Sequence, residues 1–344
     1  MSKQRDSAQR IPSFSALSSS LSSISQSNSV DKLGVDMVSR ETKSGKSVID
    51  DVDDESPIGR ELANETRRRE KLLGRKLPKP PSTRILTVAN QKGGVGKTTT
   101  AVNIAAALAA AGLQVLVIDM DPQGNASTAL GVDHRADVES IYEVLIDDVP
   151  LADVVAASPD LDNLYCAPAT IHLAGADLEL VSLVAREQRL RKAIAAYVEE
   201  RAANGLPRLD YIFIDCPPSL GLLTVNAFCA ASEVLIPIQC EYYALEGLSQ
   251  LLNNVSMIQK HLNSELSVST ILLTMYDART NLAAQVAADV REHFPELVLK
   301  AVIPRSVRIS EAPSFQQTVM TYDPSSTGAL GYLEAAAELA DRAV

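Results

Sequence analysis

Five β-prone residues at 85–89 run directly into Asn90-Gln91-Lys92-Gly93-Gly94-Val95-Gly96-Lys97-Thr98-Thr99, and an Ala-rich stretch of helical composition begins at Thr98. A strand, a glycine-rich turn ending in Lys-Thr and a helix, in that order, is what a phosphate cradle requires. The glycines let backbone N–H groups turn inward and approach anionic oxygens with no Cβ in the way. The helix N-terminus behind them adds its partial positive charge. In such a loop Lys97 reaches the β- and γ-phosphates as a point charge, and the Thr98 hydroxyl is a ligand for Mg²⁺. The usual spacing places a glycine where this chain has Gln91, and a second lysine, Lys92, stands at the front of the loop.

A loop of this kind constrains the rest of the chain. From Arg84 onward, short apolar β-prone runs at 85–89, 115–119, 211–215, 234–238, 270–274 and 298–303 alternate with helical stretches such as 98–111, 248–262, 282–293 and 328–342. That alternation predicts βαβ units and an α/β fold: a mainly parallel, twisted sheet flanked by helices. With only 4% aromatic residues and 46% hydrophobic ones, the composition suits Ala- and Leu-rich helices on a parallel sheet better than a β-sandwich. No internal repeat is visible, so 83–344 reads as one domain.

Two acidic segments lie where such a sheet would present them. Asp119-Met120-Asp121-Pro122-Gln123-Gly124-Asn125 comes after the second strand, and carboxylates at i and i+2 point the same way while the strand continues. Both Asp119 and Asp121 are therefore candidates to face the phosphates. Asp215 ends the apolar run Tyr211-Ile212-Phe213-Ile214 and precedes Cys216-Pro217-Pro218-Ser219. A hydrophobic strand ending in Asp is the arrangement that holds Mg²⁺, directly or through water, at the sheet's C-terminal edge.

The segment KGGVGKTT, with its extra lysine, resembles the deviant Walker A motif of the ParA/MinD ATPases. The segments SLGLLTVN (219–226), IPIQCEYYALEGLS (236–249), LTMYDARTNL (273–282) and IPRSVRISEAP (303–313) are similar to the ParA, or Soj, branch rather than to MinD. The resemblance spans residues 84–344 and implies a P-loop NTPase fold with ATP and Mg²⁺ as cofactors. It further implies that ATP is held by Lys92, Gly93, Gly94, Val95, Gly96, Lys97, Thr98 and Thr99, with Pro304 and Ser306 beside the adenine, and that Thr98 and Asp215 hold Mg²⁺. Many relatives carry Asn where this chain has Ser306, which offers a hydroxyl alone. In the family the extra lysine, here Lys92, reaches the phosphates of the partner in a nucleotide-sandwiched dimer. Asp121 matches the residue that positions the attacking water, and Arg279 and Arg308 match arginines that bind DNA without sequence preference. The expected protein is a Mg²⁺-dependent ATPase of slow intrinsic turnover. It is expected to be cytoplasmic and nucleoid-associated, to form a homodimer on ATP, and to be stimulated by a ParB-type DNA-bound partner. Two other readings stay open: a positioning ATPase that moves a protein cargo or polar scaffold, and a metabolic P-loop enzyme like the amidotransferase-linked synthetases.

The remaining features bear on partners. Residues 1–50 contain 15 serines and few large apolar residues, so 1–57, with its acidic cluster at 50–55, is expected to be a disordered extension. Residues 58–82 read as a basic helical arm or linker containing Arg67, Arg68 and Arg69, ended by Pro78, Pro80 and Pro81. Its charges suit either a DNA or partner contact or a merely solvated helix. Residues 1–84 carry 16 Lys and Arg against 12 Asp and Glu; since the whole chain is at −11, the rest stands at −15. An acidic body repels nucleic acid at long range, so a DNA contact must come from local arginines or from the extension. No apolar stretch reaches membrane-spanning length, and the C-terminal run 332–342 is acidic and Ala-rich, which disfavours a MinD-like membrane helix. Cys166, Cys216, Cys229 and Cys240 lack CxxC spacing and read as buried thiols.

Overall fold

The computed structural model describes residues 57–242 and 244–343. The extension expected to be disordered, apart from Pro57, lies outside them. The chain divides into two units between Arg67 and Arg68, within helix α1 (Pro57–Leu72). Of the first unit, the described residues are the opening turns of α1. The helix stops at Leu72, ahead of the prolines expected to end it, and Gly74, at φ +82°, supplies the left-handed turn that ends it.

The second unit is built on one eight-stranded sheet. Its strands are β1 (Arg84–Val88), β2 (Val115–Asp119), β3 (Ala156–Ala157), β4 (Leu164–Ala167), β5 (Tyr211–Asp215), β6 (Glu233–Gln239), β7 (Ser267–Tyr276) and β8 (Val298–Pro304). Their spatial order is β3-β4-β2-β5-β1-β6-β7-β8, parallel throughout except for the two-residue β3. Every residue of β2 and β5 is buried, which is why these strands read as continuous apolar runs rather than alternating ones.

Successive strand residues feed opposite faces. Val115, Val117, Tyr211 and Phe213 pack with helices α2 (Lys97–Ala110) and α13 (Thr327–Asp341). Leu116, Ile118, Ile212 and Ile214 pack with α7 (Arg189–Ala203), α8 (Leu222–Ala230), α9 (Ala244–His261) and α10 (Asn281–His293). Ala-rich α2 is buried at eleven positions, since small side chains let it lie close on the sheet. The C-terminal helix α13 is likewise a core helix, with Tyr332, Leu339 and Ala340 buried. All four cysteines are buried, and among the described residues no helix is long and apolar enough to cross a membrane.

Shorter helices complete the unit: α3 (Asn125–Ala129), α4 (Ile141–Ile146), α5 (Leu151–Val154), α6 (Leu173–Leu180), α11 (Val307–Glu311) and α12 (Val319–Tyr322), with a 3₁₀ turn at Ala312–Phe315. The chain leaves β1 toward β2 on one side and returns past it, from β5, to β6 on the other. The order of strands therefore reverses at the C-terminal end of β1, the position where open α/β sheets bind ligands.

Candidate nucleotide site

The glycine-rich loop occupies that reversal point. Gly94 and Gly96 adopt φ of +73° and +87°, a region that a side chain disfavours, and Gly96 opens α2. Three contacts pin the loop. The Asn90 amide donates to the carbonyl of Pro237 (2.8 Å), and the same side chain accepts from the backbone N–H of Lys92 (3.0 Å). From β7, the Thr274 hydroxyl donates to the carbonyl of Val95 (2.8 Å).

Beside the loop opens a cleft of about 420 Å³, lined on one side by Gly93, Gly94, Gly96, Lys97, Thr98 and Thr99. Asp121, Asn125 and Pro218 line it too, and the far wall is apolar, with Met275, Ile309, Ala312 and Pro313. Lys97 is 7% exposed, and its ammonium donates to the carbonyl of Lys92 at 3.3 Å. Burial lowers its pKa, while the charges of Asp215, Cys216 and Asp121 oppose that shift.

The two strand-end carboxylates differ. Asp119 and Asp215 are register partners on adjacent strands, and both are fully buried. Asp119 accepts from the Ser127 backbone N–H (2.9 Å), the Ser127 hydroxyl (2.7 Å) and the Asp121 N–H (3.2 Å). Burial still pushes its carboxyl up to about 6, although the Ser127 and Asp121 hydrogen bonds hold it down. It therefore serves α3 and the β2–α3 turn, which corrects the expectation that both Asp119 and Asp121 face the phosphates. Asp121 alone lines the cleft, with Oδ1 accepting from the Gln123 N–H (3.0 Å).

Neither carboxylate oxygen of Asp215 has a hydrogen-bond partner among the described residues. Burial pushes its carboxyl well above the usual range and Asp119 pushes it further. The Thr98 hydroxyl, close but outside hydrogen-bond geometry, and Lys97 offset this only in part. A fully buried carboxylate with no donor, beside a lysine and a threonine hydroxyl, fits a hard divalent cation bound by oxygen ligands.

Other expected residues lie outside the cleft. Lys92 is not among its lining residues and pairs with Glu241 at 2.6 Å, both side chains being part-exposed. Pro304 ends β8 and Ser306 precedes α11; neither lines the cleft, and Ile309, Ala312, Pro313 and Gln317 from the same stretch of chain do. Arg279 and Arg308 emerge at one edge of the sheet, because Tyr276 and Pro304 are register partners and the two loops leave side by side. Each already has an acidic partner. Arg279 chelates Asp277 with two 2.8 Å bonds, which hold that carboxyl down at about 2, and Arg308 pairs with Glu311 (3.1 Å) and Asp323 (3.4 Å).

The reversal-point glycine loop, its inward lysine and the buried acid at the end of the neighbouring strand define a P-loop nucleoside triphosphatase. The AAA domain family matches residues 83–268. The sporulation initiation inhibitor protein Soj of Bacillus subtilis is 54% identical over 258 residues, covering 75% of this chain and 98% of the relative. The chromosome partitioning protein ParA of Myxococcus xanthus is 49% identical over 259 residues, covering 75% and 88%. Among solved structures, cobyrinic acid a,c-diamide synthase from Mycobacterium smegmatis with a bound ATP analogue and magnesium superposes with a TM-score of 0.62 at 38% identity, covering 74% of this chain and 93% of that one. The chain belongs to the ParA/Soj family of chromosome-partitioning ATPases.

Proposed function

We propose that this protein is a Mg²⁺-dependent partitioning ATPase that dimerises on ATP, binds DNA without sequence preference as the dimer, and hydrolyses ATP slowly until a ParB-type partner stimulates it. The observation that carries the nucleotide chemistry is the unpartnered, buried Asp215 facing a loop that presents Lys97 and Thr98. In this reading the loop N–H groups and Lys97 bind and neutralise the phosphates of ATP. Thr98 and Asp215 hold Mg²⁺, which when bound supplies further charge neutralisation to the phosphates. Asp121, in the cleft lining, accepts a hydrogen bond from the attacking water and so orients it. Val95 and Thr99 contribute backbone to the cradle. The apolar wall of Met275, Ile309 and Pro313 suits the face of an adenine, and Pro304 and Ser306 adjoin that wall.

Two features support a dimer. Lys92 lies outside the lining of its own cleft and pairs with Glu241, where it is part-exposed and reachable by a second chain. Leu178, Val181, Val184 and Leu220 are exposed apolar side chains, and Asp177 ties their two segments together by accepting from the Leu223 N–H at 3.0 Å. That apolar ground adjoins Pro218 of the cleft, on the face a sandwich dimer would cover. Arg279 and Arg308 from two subunits would give four phosphate contacts and a steep salt dependence.

Duplex binding by the full chain, in ATP and in ADP across a salt series, tests this. ATP should raise affinity, and Arg279→Ala with Arg308→Ala should remove the gain; equal binding in the two nucleotides would sink the switch. By light scattering, Lys92→Ala should stay monomeric in ATP, and an undiminished dimer would remove its cross-subunit role.

A further inference from the structure

The basic segment ahead of the sheet carries three arginines that close on the C-terminal helix or on the residues just ahead of it. Arg68 donates from Nε and Nη2 to the two oxygens of Glu334 at 2.6 and 2.5 Å. Arg75 donates to Asp341 at 2.5 Å. Arg69 donates to the carbonyls of Pro324, Ser325 (2.6 Å) and Ser326 (3.2 Å), just ahead of α13. The two ion pairs share one sequence separation, 266 residues, so the arginines and their acids are each seven apart. Residues 68–75 therefore run alongside 334–341 in the same direction and in matched charge register, Arg68 on α1 and Arg75 just beyond its end. Leu72, Arg75, Glu334, Ala337 and Asp341 line one groove there. At the base of the arm Leu77 packs against the core, and Gly74 lies between that anchor and the clamp at Arg68 and Arg69.

These contacts suit a catch better than a weld. The Arg68 and Arg75 side chains are 53% and 42% exposed, and ion pairs in that setting are weak and screened by salt. Guanidinium forks bind phosphate as readily as carboxylate, and a duplex offers phosphates at high density. Exposed Lys71 and Lys76 on the same arm add charge with no counterpart on α13.

We infer that residues 68–76 form a second DNA-contacting element, independent of Arg279 and Arg308, which α13 holds shut by occupying its arginines. Duplex phosphates and the carboxylates of Glu334 and Asp341 compete for the same guanidinium groups. The inference takes its partner from the proposed DNA binding but needs neither ATP nor the dimer.

The test is duplex binding by the full chain in ADP at low salt, with melting temperature as the control for folding. Glu334→Gln with Asp341→Asn should tighten binding about tenfold and steepen the slope of log affinity against log salt by about 2, one phosphate contact for each of the two arginines released. Adding Arg68→Ala, Arg69→Ala and Arg75→Ala should abolish the gain, and adding Arg279→Ala and Arg308→Ala instead should leave it. No gain in the Gln/Asn variant overturns the catch. A gain that survives loss of the three arm arginines overturns it too, because the effect is then only the loss of two negative charges. Failure of the ATP switch in the wild type would instead count against the proposed function and leave the catch standing. Should the acid variant not fold, a dye on Leu73→Cys, an exposed position in a chain whose native cysteines are buried, reports on the wild-type arm. Saturating duplex should shift its emission, and an unchanged signal overturns the proposal.

Discussion

The ends of β2 and β5 carry the same residue at the same level of the sheet and use it in opposite ways. Asp119 and Asp215 are register partners, and both are cut off from water. Two donors of Ser127 in α3 and one of Asp121 in the β2–α3 turn satisfy Asp119, so the carboxylate is part of the fold's own hydrogen bonding. Asp215 has none. A buried polar group without a partner costs free energy, and the fold tolerates that one strand away from where it is avoided. The difference separates a carboxylate that holds the protein together from one left available to a ligand.

Asp215→Asn tests this contrast most severely. Loss of the carboxylate that would anchor Mg²⁺ should lower ATP turnover by about 100-fold or more, the scale of losing one charge-stabilising group. It should not lower the melting temperature of the nucleotide-free protein, since the change replaces a buried carboxyl that has no hydrogen-bond partner with a neutral group of nearly the same shape. It should also erase the additional thermal stabilisation that Mg²⁺ gives in the presence of nucleotide, which ligand linkage otherwise requires. A nucleotide-free variant that melts well below wild type would show that Asp215 is structural after all and break the contrast.

Asp119→Ala should do the reverse. It strands two N–H groups and the Ser127 hydroxyl inside the protein, with a cost of about 2 kcal/mol in unfolding free energy by denaturant titration. The loss arises in the turn that carries Asp121 into the cleft, so weaker nucleotide binding should result from a loosened loop. Wild-type stability in this variant would mean that the three hydrogen bonds contribute nothing net.

Why the sequence separates these two acids poorly is a matter of range. The phosphate loop is legible because its chemistry is local: glycines at the positive-φ positions, Lys97 next to Gly96, and an apolar strand immediately before. Strands β1, β2, β5, β6, β7 and β8 are legible as apolar runs because both sheet faces are covered. The four-residue β4 is not, since Leu164-Tyr165-Cys166-Ala167 is too short to show a period and becomes a strand only by pairing with β2. Helix α8 has no local N-terminal cap; its Leu223 N–H is met by Asp177, 46 residues earlier. Asp119 and Asp121 look equivalent at i and i+2 until Ser127, eight residues on, claims the first. Glu241 beside Lys92 and Thr274 on the Val95 carbonyl are contacts across the sheet that no spacing rule reveals. The Arg279–Asp277 pair is within reach of such a rule, being two residues apart, whereas Arg68–Glu334 joins residues 266 apart.

Ser127→Ala gives the smallest effect and the finest resolution. It removes the 2.7 Å hydroxyl bond to Asp119 but leaves the two backbone donors, moving Asp119 one step toward the condition of Asp215. The same hydroxyl accepts from the Ala169 N–H at 3.1 Å, so the change also strands a donor in the segment after β4. About 1 to 2 kcal/mol should be lost in denaturant unfolding, the net worth of the two intramolecular hydrogen bonds removed. Because no donor of the phosphate loop is touched, turnover per folded molecule should stay near wild type. If the variant instead loses turnover as Asp215→Asn does while keeping its stability, then Asp119 is also presented to the ligand, and the division of labour between the two strand ends does not hold.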